Sequence, residues 1–169
     1  SFVVLYIIFG ELLDQFGAGK FFIDIAYALT GRMRGGPAEA SVVSSALMGS
    51  INGSAVANVV TTGTFTIPLM KKVGYKPEYA GAVEAVASTG GQILPPIPGL
   101  LYYISLGFAV YFEAGRMGIE RDSGENVMRV AEVLRKGWYH LLPLAVLIIC
   151  LLVLGLSAGY SALFALVAI

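Results

Sequence analysis

Between Ala40 and Met70 the chain passes about 31 residues without one charged side chain. As a single α-helix rising 1.5 Å per residue, that stretch would reach about 46 Å, against a hydrocarbon core of about 30 Å. It has to break. The place is written at its middle, GSINGSAVAN (Gly49 to Asn58), which crowds two Gly, two Ser and two Asn together. These residue types favour loops, caps and unwound backbone.

Flanking charge then sets the topology. Arg32 and Arg34 precede the segment and Lys71, Lys72 and Lys76 follow it. Basic flanks mark the cytoplasmic side, so the segment is predicted to enter and leave on one face as a re-entrant helical hairpin. Backbone at such depth is tolerated only when buried in protein or facing a water-filled cavity, which makes the tip a candidate site.

Composition agrees with a lipid environment. Hydrophobic residues make up 57% of the chain and charged residues 13%, about half the soluble norm of about 25%. The fold class predicted is an all-α polytopic membrane protein, since helices satisfy their own backbone in lipid. Eleven basic and eleven acidic residues cancel, which argues against a nucleic-acid partner. The single cysteine, Cys150, and the single histidine, His140, cannot build a disulfide framework, a CxxC site or a zinc site. His140, beside Trp138 and Tyr139, reads as an interfacial anchor. GxSxG, HExxH, a Walker A loop and GxGxxG before a helix are all absent. No enzyme and no cofactor are expected.

Along the chain, residues 1–17 read as a truncated transmembrane helix, because only about nine apolar residues precede Gly10 and Glu11. Residues 18–36 read as an interfacial amphipathic arm helix, and 37–70 as the hairpin. Residues 71–97 read as a discontinuous transmembrane helix that starts at Pro77 and breaks at Gly90, Gly91, Pro95 and Pro96. Residues 98–113 read as the end of a returning transmembrane helix, 114–137 as a charged cytoplasmic connector, and 138–169 as C-terminal transmembrane segments, truncated, with a clean span from Leu141 to Leu156. The chain is expected to be an internal fragment of a larger protein. Lys76 and Arg116 both carry cytoplasmic charge, yet the interval between them is too short for two spans of about 20 residues and a turn. With Pro95, Pro96 and Pro98 clustered there, Ile97 and Pro98 are expected not to be continuous in the natural protein.

Interrupted membrane helices expose N-termini that favour anions and C-terminal carbonyls that favour cations, the means by which secondary transporters build midplane sites. Two neighbouring breaks, Gly49 to Asn58 and Ser88 to Pro96, suggest one shared site. Glu11, Asp14 and Glu84 are the carboxylates nearest apolar surroundings. For Glu84, near the start of its helix with Glu78, snorkelling to the cytoplasmic face is favoured over a direct coupling role. The hydroxyls of Thr61 to Thr66 are expected to bond mainly to their own helix carbonyls. Gly53 and Gly63 are open to a role in helix packing alone.

The stretch from Gly31 to Pro96, GRMRGGPAEASVVSSALMGSINGSAVANVVTTGTFTIPLMKKVGYKPEYAGAVEAVASTGGQILPP, closely resembles the large membrane subunit of tripartite ATP-independent periplasmic (TRAP) transporters, particularly the fused permeases that work with TAXI-type solute-binding proteins. The resemblance implies a fragment of an elevator-type, ion-transporter-like transport domain in a bacterial or archaeal inner membrane. It further implies a sodium-coupled symporter that imports organic anions, carboxylates, delivered by an extracytoplasmic or periplasmic solute-binding protein. Its partners would be that protein and the remainder of the permease, including a small-subunit-like region. Carried over by position, the substrate- and ion-binding residues would be Ser50, Asn52, Gly53, Ser54 and Asn58 at the hairpin tip and Ser88, Thr89, Gly90, Gly91, Pro95 and Pro96 at the helix break. Sodium would be held through Ser50, Gly53, Ser54, Ser88 and Gly91. After Pro96 the family continues with a helix, a turn and a returning helix, of which about 25 to 30 residues are expected to be absent, in line with the spanning arithmetic. Two other readings stay open: an ion channel with a re-entrant pore loop around TTGTF, and a non-transporting membrane scaffold.

Overall fold

The computed structural model describes residues 2–92, 97–119, 127–156 and 158–167. Helices account for nearly all of them: α1 (Phe2–Gln15), α2 (Ala18–Thr30), α3 (Gly36–Asn52), α4 (Ala55–Lys72), α5 (Pro77–Gly90), α6 (Ile97–Arg116), α7 (Val130–Gly137), α8 (Leu141–Leu152) and α9 (Ala158–Val167). A 3₁₀ turn, Trp138–His140, joins α7 to α8.

Local chemistry places the ends. Pro37 occupies the first turn of α3 and Pro77 that of α5, where the missing amide is one the helix would leave unpaired anyway. The break in the charge-free segment is narrower than its composition suggests. Gly49 and Ser50 stay helical, the Ser50 hydroxyl bonding back to the Leu47 carbonyl at 2.6 Å. Reversal is left to Gly53 and Ser54. Gly53 caps α3 at φ 60°, a left-handed conformation that suits glycine. Ser54 is extended and its hydroxyl accepts the Ala57 amide, capping α4.

The two arms, α3 and α4, pack against each other and share α5 as a common neighbour. Around the base of this pair, Ala38, Val42, Met70, Tyr75, Ala80, Val83 and Ala87 form one apolar core with Val110 and Ala114 of α6. Nearer the tip, Met48 and Ile51 join a second core with Phe9, Leu13, Phe21 and Phe22 of α1 and α2 and Leu147, Ala162 and Ala165 of α8 and α9. The arm helix α2 is thus buried along one face, and α7 packs on it. There burial pushes the Asp24 carboxyl above its ordinary range, while Lys20 and Lys136 draw it back.

Three expectations are revised. First, α6 returns along α5: the Tyr102 hydroxyl donates to the Val86 carbonyl at 2.6 Å and that of Tyr103 to the Ala87 carbonyl at 3.1 Å. The interval from Lys76 to Arg116 therefore holds an antiparallel pair of 14 and 20 residues, which fits where two full spans do not. Second, α6 runs unbroken from Ile97, with Pro98 in its first turn, where proline is accommodated, so the proline cluster does not prevent a helix from starting here. Third, His140 is buried, its ring 5.4 Å from that of Phe21, whereas Trp138 and Tyr139 are exposed. The 3₁₀ turn points His140 inward. Among the described residues one helical path, Val130–Cys150, is long and apolar enough to cross a membrane.

Candidate functional site

The hairpin's first arm, α3, meets the C-terminal end of α5. Gly49 lies one turn before the hairpin tip and Gly91 caps α5. A Cβ built on Gly49 would stand 2.4 Å from the Gly91 Cα, and one built on Gly91 2.5 Å from the Gly49 Cα. Only glycine permits such a backbone-to-backbone approach.

Asn58, in the first turn of α4, completes the junction. Its Nδ2 is 3.4 Å from where a Gly49 Cβ would sit. The side chain is wholly buried, and Nδ2 donates to the Ser45 carbonyl of α3 at 3.0 Å. The other end, Oδ1, is buried without a hydrogen-bond partner. An amide oxygen left so costs roughly 1–3 kcal/mol, which a cation or a donor brought to it would offset.

Below this junction sits Glu84, which sequence reasoning expected to snorkel. It is wholly buried instead. Five hydroxyls surround it: Ser41 and Ser45 of α3 donate at 2.7 and 3.4 Å, Ser88 of α5 at 3.2 Å, and Thr62 and Thr66 of α4 also donate to it. Glu84 forms no ion pair among the described residues. The network runs on to the junction, because Thr62 Oγ1 also lies 2.8 Å from the Asn58 carbonyl and Ser45 bonds to Asn58 as well as to Glu84. Gly63 leaves room for the Glu84 side chain, whose Cγ would be 3.1 Å from a Cβ there.

A periodic signal for this cluster existed: Ser41 and Ser45, Thr62 and Thr66, and Glu84 and Ser88 are each spaced i, i+4, so each pair shares a helix face. That the three faces converge was not in the spacing. The threonine run, in turn, does not line one path. Thr62 and Thr66 face Glu84, Thr61 donates to Asp14 Oδ2 of α1 at 3.0 Å, and Thr64 bonds to the Thr61 carbonyl.

Of the residues singled out in the sequence, the structure brings Asn58, Ser88 and Gly91 to the junction and its floor. Gly90 is buried against the Tyr102 and Tyr103 rings. Ser50, Gly53 and Thr89 are exposed, Thr89 bonding to the Ala85 carbonyl at 2.8 Å, and Ser54 serves as the α4 cap. The Asn52 side chain, Pro95 and Pro96 lie outside the described residues. A separate apolar cleft of about 650 Å³ lies between α3 and α6, lined by Val42, Val43, Leu47, Ile104, Phe108 and Glu39. Its polar side chains are Glu39, Tyr103 and Tyr111.

Comparison with known proteins points the same way. Residues 1–97 match the family described as tripartite ATP-independent periplasmic transporter, DctM component. The C4-dicarboxylate TRAP transporter large permease protein DctM of Vibrio cholerae is 34% identical over 115 residues, covering 68% of this chain and 25% of that protein. The 2,3-diketo-L-gulonate TRAP transporter large permease protein YiaN of Escherichia coli is 27% identical over 109 residues, covering 64% of this chain and 26% of that protein. The uncharacterized protein y4mL of Sinorhizobium fredii is 28% identical over 175 residues, covering 90% of this chain and 42% of its own length. The chain thus spans about a quarter of the two named permeases. The last alignment is longer than this chain's 169 residues, so y4mL holds residues there that have no counterpart here. The family match also ends at Ile97, where α6 begins. The two named permeases are transport proteins rather than enzymes, and by the family match over more than half its length the chain belongs to the DctM component family of tripartite ATP-independent periplasmic transporters.

Proposed function

We propose that this chain forms part of the transport domain of a sodium-coupled permease that imports organic anions across a bacterial or archaeal inner membrane. An extracytoplasmic solute-binding protein delivers the anion, and the rest of the permease, including a small-subunit-like region, frames the moving domain. One observation supports this reading above the others: the hairpin and the break after α5 touch through Gly49 and Gly91, with the free Oδ1 of Asn58 buried beside them. Converging helix ends present carbonyl oxygens to a cation and amides to a carboxylate, the arrangement by which secondary transporters couple ion to solute. Sodium is the coupling ion in this reading, held by backbone carbonyls around Gly49 and Gly91 and by Asn58. Ser50, Gly53, Ser54 and Ser88 belong to its surroundings. The anion binds nearer the exposed tip residues, and an elevator movement carries both across.

Names of relatives agree in chemical class: one is described as a C4-dicarboxylate transporter and another as a 2,3-diketo-L-gulonate transporter, both substrates carboxylates. The binding protein in this reading is of the TAXI type.

In the intact permease, Asn58→Ala and Ser54→Ala should each raise the sodium concentration needed for half-maximal uptake while leaving docking of the solute-binding protein nearly unchanged. Measuring both in proteoliposomes decides the matter, and equal loss of docking and sodium response would count against a coupling role. Topology has its own test. A cysteine in place of Arg34 and one in place of Lys72 should both react with a membrane-impermeant maleimide from the cytoplasm, since basic residues flank both arms. Labelling on opposite faces would replace the hairpin with an ordinary span.

A further inference from the structure

We infer that Glu84 is the fixed counter-charge of the cation site at the Gly49–Gly91 junction, acting from beneath it through its field and not as a ligand. This rests on the sodium-coupled reading above and adds to it a residue which that reading does not contain.

The geometry carries the inference in three steps. First, the site's own groups are neutral: the Asn58 amide and the backbone around Gly49 and Gly91 supply dipoles and no charge. Second, Glu84 is wholly buried, pairs with no cation among the described residues, and is wrapped by five hydroxyls from three helices. Each hydroxyl has one hydrogen to turn toward it, which is the solvation a carboxylate needs in a dry interior. Hydroxyl donors stabilise the charge without neutralising it, so its field remains available to a neighbour. A lysine or arginine at the same place would have cancelled it. Third, the distance suits an indirect role. Gly91 follows Glu84 by seven residues on α5, about 10 Å along the helix, and Thr62, which donates to Glu84, is one turn from Asn58. Those hydroxyls hold the carboxylate away from direct ligation while keeping it inside the same low-dielectric core. A unit charge about 10 Å away, in surroundings of effective dielectric about 20, changes a monovalent cation's affinity roughly tenfold.

The competing role is a mechanical clamp, in which Glu84 only ties α3 and α4 to α5. Two substitutions separate charge from shape. Glu84→Gln keeps the shape, and the Thr66 hydroxyl can then turn to the Thr62 carbonyl 3.0 Å away, so the cluster can stay satisfied. Glu84→Asp keeps the charge and shortens the reach. The purified full permease would be titrated with sodium chloride against a choline chloride control at constant ionic strength, with the rise in Tm giving an apparent Kd. The expected result is a roughly tenfold weaker sodium response in Glu84→Gln, from a protein that still unfolds cooperatively, and a response within about threefold of wild type in Glu84→Asp. An unchanged sodium affinity in Glu84→Gln would overturn the inference, as would Glu84→Asp losing as much as Glu84→Gln. If wild-type permease shows no sodium-specific stabilisation, the coupling reading itself falls and takes this one with it. Sodium response in wild type with none lost in Glu84→Gln removes Glu84 alone.

Discussion

Replacing Gly91 by valine in the intact permease should reduce solute uptake at least a hundredfold, and replacing Gly49 by valine should do the same. A Cβ on either residue meets the partner's Cα at 2.5 Å or less, and the obstacle on each side is backbone. No side chain can swing aside. Relief requires the hairpin and α5 to separate by an ångström or more, and a displacement of about 1 Å at a reacting or binding constellation can cost on the order of a hundredfold. Gly49→Ala should already be severe. Gly53, by contrast, meets nothing within 4 Å, so Gly53→Ala should add only the strain of its φ of 60°, about 1 kcal/mol, and lower uptake far less than Gly49→Val. Uptake by proteoliposomes holding equal amounts of each variant makes the comparison. Retained transport in Gly91→Val would mean that the hairpin and the break do not work in contact.

The second large effect is on stability. Thr62→Val together with Thr66→Val keeps volume and helix packing but removes two of the five donors around Glu84. A hydrogen bond to a charged group contributes about 1.5–3 kcal/mol, so the pair should cost about 3 kcal/mol or more. Tm in detergent should fall by several degrees. The same change at Thr64, whose hydroxyl bonds only the Thr61 carbonyl from an exposed position, should be nearly neutral. Restoring the balance by Glu84→Leu in the double variant should recover part of the lost Tm, because an apolar side chain needs no donors. Equal Tm for the Thr64 variant and the double variant would show that the donors around Glu84 add nothing to stability.

Much of the helical layout was legible because it depends on neighbours in the chain. A charge-free stretch too long for one helix, a glycine free to adopt positive φ, a serine able to cap the next helix, and prolines at Pro37 and Pro77 act within a few residues of themselves. These short-range terms placed the reversal within Gly49 to Asn58, and the structure narrowed it to Gly53 and Ser54. Hydropathy likewise set the membrane class, since too few charged side chains exist to cover a water-facing surface.

What only the tertiary structure decided were the meetings between distant residues. The sequence shows Glu84 as one acidic residue near a helix start, and nothing adjacent to it tells whether it reaches water or is enclosed. Enclosure comes from Ser41 and Ser45, about forty residues earlier, and from Thr62 and Thr66, about twenty earlier, once α3, α4 and α5 pack on one another. Gly49 and Gly91 look like separate breakers until their backbones touch. The return of α6 along α5 and the inward turn of His140 were likewise settled by what each could pack against. Periodicity tells which residues share a face; which faces meet depends on burying apolar area and pairing buried polar groups across the whole chain, and those terms have no local trace.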